Sequence, residues 1–145
     1  MANTFKLDIV TPEKHLFSGK VEIVIARTLS GEEGFLAGHI WACKLLDICE
    51  LWFREEGKKE YRLAAISRGF IDVRDDVMIY ADSAEWPEEI DVERAKEAGR
   101  RELEWLESHG TPGESPEEEI EEHKQAAKRA ANRQKVAAGG SRQRH

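Results

Sequence analysis

The chain has 145 residues, 40% hydrophobic, 35% charged and 8% aromatic, and its 29 acidic against 22 basic side chains leave a formal net charge of −7. That size admits one domain plus a small appendage, the acidic balance argues against a protein that coats nucleic acid, and the ionised composition excludes a wholly apolar membrane protein. No stretch approaches the roughly 18–20 apolar residues of a transmembrane helix, and Met1 to Thr4 run into alternating sequence without a signal-peptide core, so a cytosolic protein is expected.

Period-2 patterns dominate the first 85 residues. Phe5, Leu7 and Ile9 alternate with Lys6, Asp8 and Val10, which predicts a strand that Thr11-Pro12 breaks. A second strand is expected over Val21 to Arg27, with Ser30 to Gly34 as a loop by composition. Ile48 to Arg54 forms a third apolar run, closed by a turn at Glu55-Glu56-Gly57-Lys58-Lys59. Tyr61 to Ile66, Phe70 to Val73 and Val77 to Tyr80 complete the series, and short, closely spaced strands argue for an antiparallel sandwich or flattened barrel. Cys43 and Cys49 are too few for a disulfide scaffold or a four-thiolate zinc site and read as small buried apolar residues. Trp41 and Trp52 read first as core residues and second as surface aromatics.

From Glu88 the texture turns helical, broken only by the loop Ser108 to Pro116. Asp91 is the expected N-cap of a first helix that carries Ala95, Ala98, Leu103 and Leu106. Ser115, Pro116 and Glu118 predict a capping box opening the second helix, whose inward stripe is Ile120, His123, Ala127, Ala130 and Gln134. An alanine stripe buries little apolar area, so the hairpin is expected to be weakly held and detachable. The division is thus a sandwich over 1–86, a hairpin over 87–138 and a disordered tail over 139–145. Charge is segregated as well: residues 88–122 hold 14 acidic and 4 basic side chains, net −10, whereas 123–145 hold 7 basic and no acidic ones, net +7. Attraction between these blocks is expected to hold the hairpin shut.

The search for catalytic chemistry is negative. The sequence contains no Walker-type loop, no nucleophile elbow and no His/Glu pair at zinc spacing, and His39 has no announced orienting partner, so it reads as a structural or interface histidine. Arg94 and Arg101 fall within about 20° of one another on the first helix, and Arg129 and Arg133 share a face of the second. Folded back, the four guanidinium groups converge on one polyanion; the plainer alternative is pairing with nearby glutamates.

Several segments then match a known family. Phe5-Lys6-Leu7-Asp8-Ile9-Val10-Thr11-Pro12-Glu13, Leu16-Phe17-Ser18-Gly19, Gly31-Glu32-Glu33-Gly34-Phe35-Leu36, Gly38-His39, Ser67-Arg68-Gly69-Phe70-Ile71-Asp72-Val73 and Ala81-Asp82-Ser83-Ala84-Glu85 closely resemble the epsilon subunit of the bacterial rotary (F-type) ATP synthase. Ile90-Asp91-Val92-Glu93-Arg94-Ala95 resembles that family's helical-domain motif, and the likeness runs in order over about residues 4–136.

The resemblance implies an α+β fold: an antiparallel β-sandwich of about ten strands followed by a two-helix antiparallel hairpin. It implies a non-catalytic rotor subunit of the central stalk of a proton-translocating enzyme, with the gamma subunit, the c-ring and, when the hairpin is extended, the alpha and beta catalytic subunits as partners. Nucleic acid and direct membrane insertion are not implied, and the expected location is peripheral, on the cytoplasmic face of the bacterial plasma membrane. The hairpin is expected to extend and inhibit ATP hydrolysis. No cofactor is required and no metal or catalytic residue is implied, but regulatory ATP is, at positions matching Glu85, Ile90, Asp91, Arg94, Arg101, Arg129 and Arg133. Glu32 and His39 match the partner-facing loop, and Lys124 and Lys128 lie in the basic helix expected to approach an acidic segment of the beta subunit.

The chain departs from the family at Ile40-Trp41-Ala42-Cys43-Lys44 and Asp47-Ile48-Cys49, where prolines and a glycine are usual, and at Arg68, where glycine is usual. A free-standing ATP-sensing module using the same arginines is the alternative, and a β-barrel nucleic-acid binder is disfavoured because the strands lack a basic-aromatic face.

Overall fold

The structure, a computed structural model, describes residues 3–141. Seven strands are followed by two helices: β1 (Phe5–Val10), β2 (His15–Thr28), β3 (Gly31–Leu36), β4 (Ala42–Glu55), β5 (Arg62–Val73), β6 (Val77–Ala81), β7 (Ala84–Glu85), α1 (Val92–His109) and α2 (Glu117–Ala137). The sheet order β1-β6-β5-β4-β2, with β1 also pairing β2, closes the sheet on itself, and β3 adds to β2 while β7 adds to β5. Leu7, Ile9, Val24, Phe35, Leu51, Phe53, Ile66, Ile71 and Ile79 point inward and are fully buried.

The count of seven replaces the expected ten. Strands β2 and β4 run for 14 residues and β5 for 12, so each coils through both layers, and register shifts in β2 between Val21 and Ile23 and between Ile25 and Thr28 provide the bend. The pairing is not wholly antiparallel, because β1 runs parallel to β6, with Leu7 opposite Val77 and Ile9 opposite Ile79. Gly31 to Leu36, of which residues 31–34 read as loop, is a strand because Ile23 to Thr28 pairs with it residue by residue.

Arg68 has φ 74, inside the left-handed region. Next to it, a Cβ on Gly69 would lie 1.8 Å from the Tyr80 carbonyl oxygen. Glycine is therefore obligatory at 69, and Arg68 bears the backbone strain of the left-handed region. Cys49 is buried, which pushes its thiol up to about 11. Cys43, expected inside, is exposed, since strand alternation puts it on the outer face of β4. Trp52 is buried while Trp41 is exposed, its indole N–H donating to Asp75 at 3.3 Å.

The linker is anchored at Trp86, whose ring is covered by the Arg62 guanidinium at 4.1 Å and contacts Phe53. The Asp91 carboxylate caps α1 as expected, accepting from the Arg94 N–H at 3.1 Å. The Ser115 capping box does not form: Ser115 bridges to Pro112, Pro116 is extended at φ −56 and ψ 137, and α2 starts at Glu117. On α1 the buried residues are Ala95 and Gly99, while Leu103 is exposed. Gly99 admits Ala130 and Gln134 of α2 at close range, and Ile120 and Ala130 are buried on the facing stripe. Near the hairpin tip Trp105 is stacked between His109 and His123, and His123 also pairs with Glu102.

Candidate functional site

Two surfaces bear on function: the seam where α2 lies on the sandwich, and the outer face of the sheet. At the seam a small cluster of Trp52, Leu63, Ala65, Ile90 and Val136 is separate from the sandwich core. Polar contacts surround it. The Arg133 guanidinium forks onto Glu85, with Nε to Oε1 at 2.7 Å and NH2 to Oε2 at 3.0 Å. Lys128 Nζ reaches Asp47 Oδ2 at 2.6 Å, and the Asn132 amide donates to the Cys49 carbonyl at 2.9 Å. Burial alone would raise the Asp47 carboxyl, but the hydrogen bonds from Lys128 and the Ile48 N–H, with the charges of Lys128 and Arg27, outweigh it and hold the group below its ordinary value.

Among the described residues, Lys128 and Arg133 of the basic block pair with Asp47 and Glu85 of the sandwich, while His123 of the same block meets Glu102 of the −10 block. The acidic block is partly neutralised within α1, where Arg100 pairs with Glu97 and Glu104.

The seven positions proposed for a nucleotide are placed unequally. Glu85, Arg129 and Arg133 line one cavity with Ile48, Ser67 and Asn132, but its volume is about 30 Å³. That is room for a water, whereas small-molecule sites span roughly 300–1,000 Å³. Ile90 is buried in the seam cluster and Asp91 is occupied as the α1 cap. Arg94 and Arg101 are exposed on α1 and do not line the cavity.

The partner-facing candidates lie elsewhere. His39 is half-buried, its ring against Phe35 and its Nδ1 2.6 Å from the Ile40 carbonyl. Glu32 is exposed on β3, and Lys124 and Lys128 are exposed on α2. Next to Glu32, the carboxyl of Glu33 is held below its ordinary value by hydrogen bonds from Lys44 and Thr28. Ile40 and Trp41 beside His39 are 83% and 65% exposed.

The outer sheet face shows what the sequence reading missed. Leu45 pairs with Phe70, Phe70 with Tyr80 and Tyr80 with Val10 across four strands. Leu45 is 60% exposed, and Phe70 and Tyr80 stack at 4.7 Å while remaining 37% and 39% exposed. An open groove of about 350 Å³ runs beside the pair, along Val10, Pro12 and Asp82. The signal was present as outward-phase aromatics in two neighbouring strands, but it required the β5–β6 register to become a row. Among the described residues no group of three or more His, Cys, Asp or Glu side chains could hold a metal.

An uncovered apolar sheet face joined to a helical arm that is seated by a few ion pairs defines a docking subunit of a larger assembly. The family model for the ATP synthase delta/epsilon chain, beta-sandwich domain, matches residues 4–87. The ATP synthase epsilon chain of Alkaliphilus oremlandii is 42% identical over 102 residues, covering 70% of this chain and 75% of that one. That of Desulforamulus reducens is 39% identical over 138 residues, covering 94% and 99%. A chain in the cryo-EM structure of the Euglena gracilis mitochondrial ATP synthase, OSCP/F1/c-ring in rotational state 1, superposes with a TM-score of 0.72 at 25% identity, covering 89% of this chain and 78% of that one. One from the central stalk/c-ring of the Tetrahymena thermophila enzyme shares the fold, with a TM-score of 0.51 at 15% identity over 92% and 93% of the two chains. This chain belongs to the ATP synthase epsilon-chain family, and it is an accessory subunit of the synthase, not a catalytic one. Among its described residues no helix is long and apolar enough to cross a membrane.

Proposed function

We propose that this chain is a rotor subunit of the central stalk, that its sandwich docks the gamma subunit and the c-ring and couples their rotation, and that its hairpin leaves the sandwich to inhibit ATP hydrolysis. The observation that carries the reading is the Leu45-Phe70-Tyr80 row, an apolar strip on a rigid sheet that the described residues leave partly open to solvent. A stiff, flat strip suits a permanent partner that transmits torque, because burying it costs little side-chain entropy. Ile40, Trp41, Glu32 and His39 form a second, mixed apolar and polar surface in the β3 region, suited to the polar ends of membrane-sector subunits. The assembly then sits peripherally on the membrane, and the exposed Lys124 and Lys128 supply the charge for an acidic segment of a catalytic subunit once Lys128 leaves Asp47.

Regulatory ATP belongs to the same proposal. Arg129 and Arg133 are two guanidinium forks beside one small cavity, and Arg94 and Arg101 are exposed on α1. A nucleotide requires Arg133 to release Glu85 and the seam to widen, so binding is coupled to hairpin movement. Co-expression with gamma tests the docking claim. Phe70→Glu and Tyr80→Glu are expected to abolish co-purification with gamma while the far-UV spectrum stays native; undiminished co-purification of both variants overturns it. Calorimetric titration with ATP, compared with Arg133→Ala, tests the nucleotide, and the absence of binding heat in the unsubstituted chain removes it.

A further inference from the structure

We infer that Gly139, Gly140 and Ser141 form a strap that locks the end of α2 onto a receptor site on β4, and that its release is a separate step in freeing the arm. This rests on the reading of the hairpin as movable. A disordered tail was expected from residue 139, yet these three residues are seated on the sandwich; residues 142–145 of that expected tail lie outside the described residues.

The strap begins where α2 ends. The Gly139 N–H donates to the Val136 carbonyl at 2.9 Å and the Gly140 N–H to the Lys135 carbonyl at 2.8 Å, which turns the chain back. Both glycines are left-handed, at φ 101 and 93, and two successive residues in that region require glycine. Gly140 is held to glycine a second way: a Cβ there would lie 2.5 Å from Trp52 Cζ2 and 3.2 Å from Leu63 Cδ2. The bare backbone therefore lies directly on the seam cluster. Ser141 then closes the turn onto Glu50, its N–H donating to one carboxylate oxygen and its hydroxyl to the other, each at 2.5 Å. Together with Lys128 on Asp47 and Asn132 on the Cys49 carbonyl, this makes β4 a continuous receptor from Asp47 to Trp52 for the last turns of α2 and the strap.

The geometry makes undocking sequential. Val136 cannot leave Trp52 while Gly140 is pinned over the same indole, so the strap must open before the hairpin does. Hydrogen exchange of the full chain reads this directly. Glu50→Gln, Gly140→Val and truncation after Ala138 are each expected to speed exchange of the last two turns of α2 by about three- to tenfold, with β5 and β6 amides unchanged. Arg133→Ala serves as the parallel variant that loosens the seam without touching the strap. If Arg133→Ala speeds exchange and the three strap variants do not, the strap is overturned and the movable arm stands. If none of the four does, both readings fall.

Discussion

The sandwich and the seam are held by different chemistry. Twenty of the described residues form the sandwich core, with Phe17, Phe53 and Trp86 interleaved, whereas the hairpin is seated through five apolar residues ringed by ion pairs. An interior of the first kind loses free energy steeply when any part is removed, so it yields only as a whole. A contact of the second kind is divided among separable, partly solvated interactions, which salt and acid weaken. The contrast is what the proposed function requires of one short chain: a rigid docking body, and an arm that can detach without unfolding it.

Substitution separates the two regimes. Phe53→Ala is expected to cost about 3–5 kcal/mol in urea unfolding, with sandwich and hairpin probes melting together. Val136→Ala, also fully buried but in the seam, should remove about 1–2 kcal/mol of docking, seen as faster α2 exchange with the sandwich midpoint unmoved. An equal loss of sandwich stability would break the comparison. Arg133→Ala leaves Glu85 without its fork; with both groups about a quarter exposed, the expected loss is about 1 kcal/mol, shrinking in high salt.

Acid gives a fourth handle. Because the folded Asp47 carboxyl sits below its ordinary value of 3.8, its contribution is complete above that value and disappears as pH falls through the lower folded one. Docking measured between sandwich and hairpin should therefore weaken below about pH 4, and Asp47→Asn should flatten that profile. The smallest effect runs the other way. Arg68→Gly relieves a left-handed arginine and is expected to stabilise the sandwich by up to about 1 kcal/mol, read as a higher melting midpoint with the hairpin unaffected.

Legibility in the sequence followed the range of the interaction. The Asp91 cap, the alternating strands and the alanine-lined α2 stripe depend on neighbours within a few residues, and they were readable. The Ser115 capping box failed because Pro112, across the loop, engages Ser115 instead. Strands β2, β4 and β5 were read as shorter pieces because period-2 alternation does not reveal that a strand bends from one layer into the other. At the seam, Arg133 meets Glu85 across 48 positions and Lys128 meets Asp47 across 81, separations over which no local pattern carries information. The same holds for Ser141 on Glu50: a Gly-Gly-Ser ending has the composition of disorder, and only the position of Trp52 gives it a place.

The parallel pairing of β1 with β6 sets a timetable for synthesis. When β1 leaves the ribosome its second neighbour, Val77 to Ala81, has not been made, and at about 5–20 residues per second the wait is roughly 4–14 s. During that interval β1 can pair only with β2 and offers a bare edge to other chains. The charged stretch from Glu88 onward emerges just after β6 completes the sheet, so the arm meets a finished body rather than a growing one.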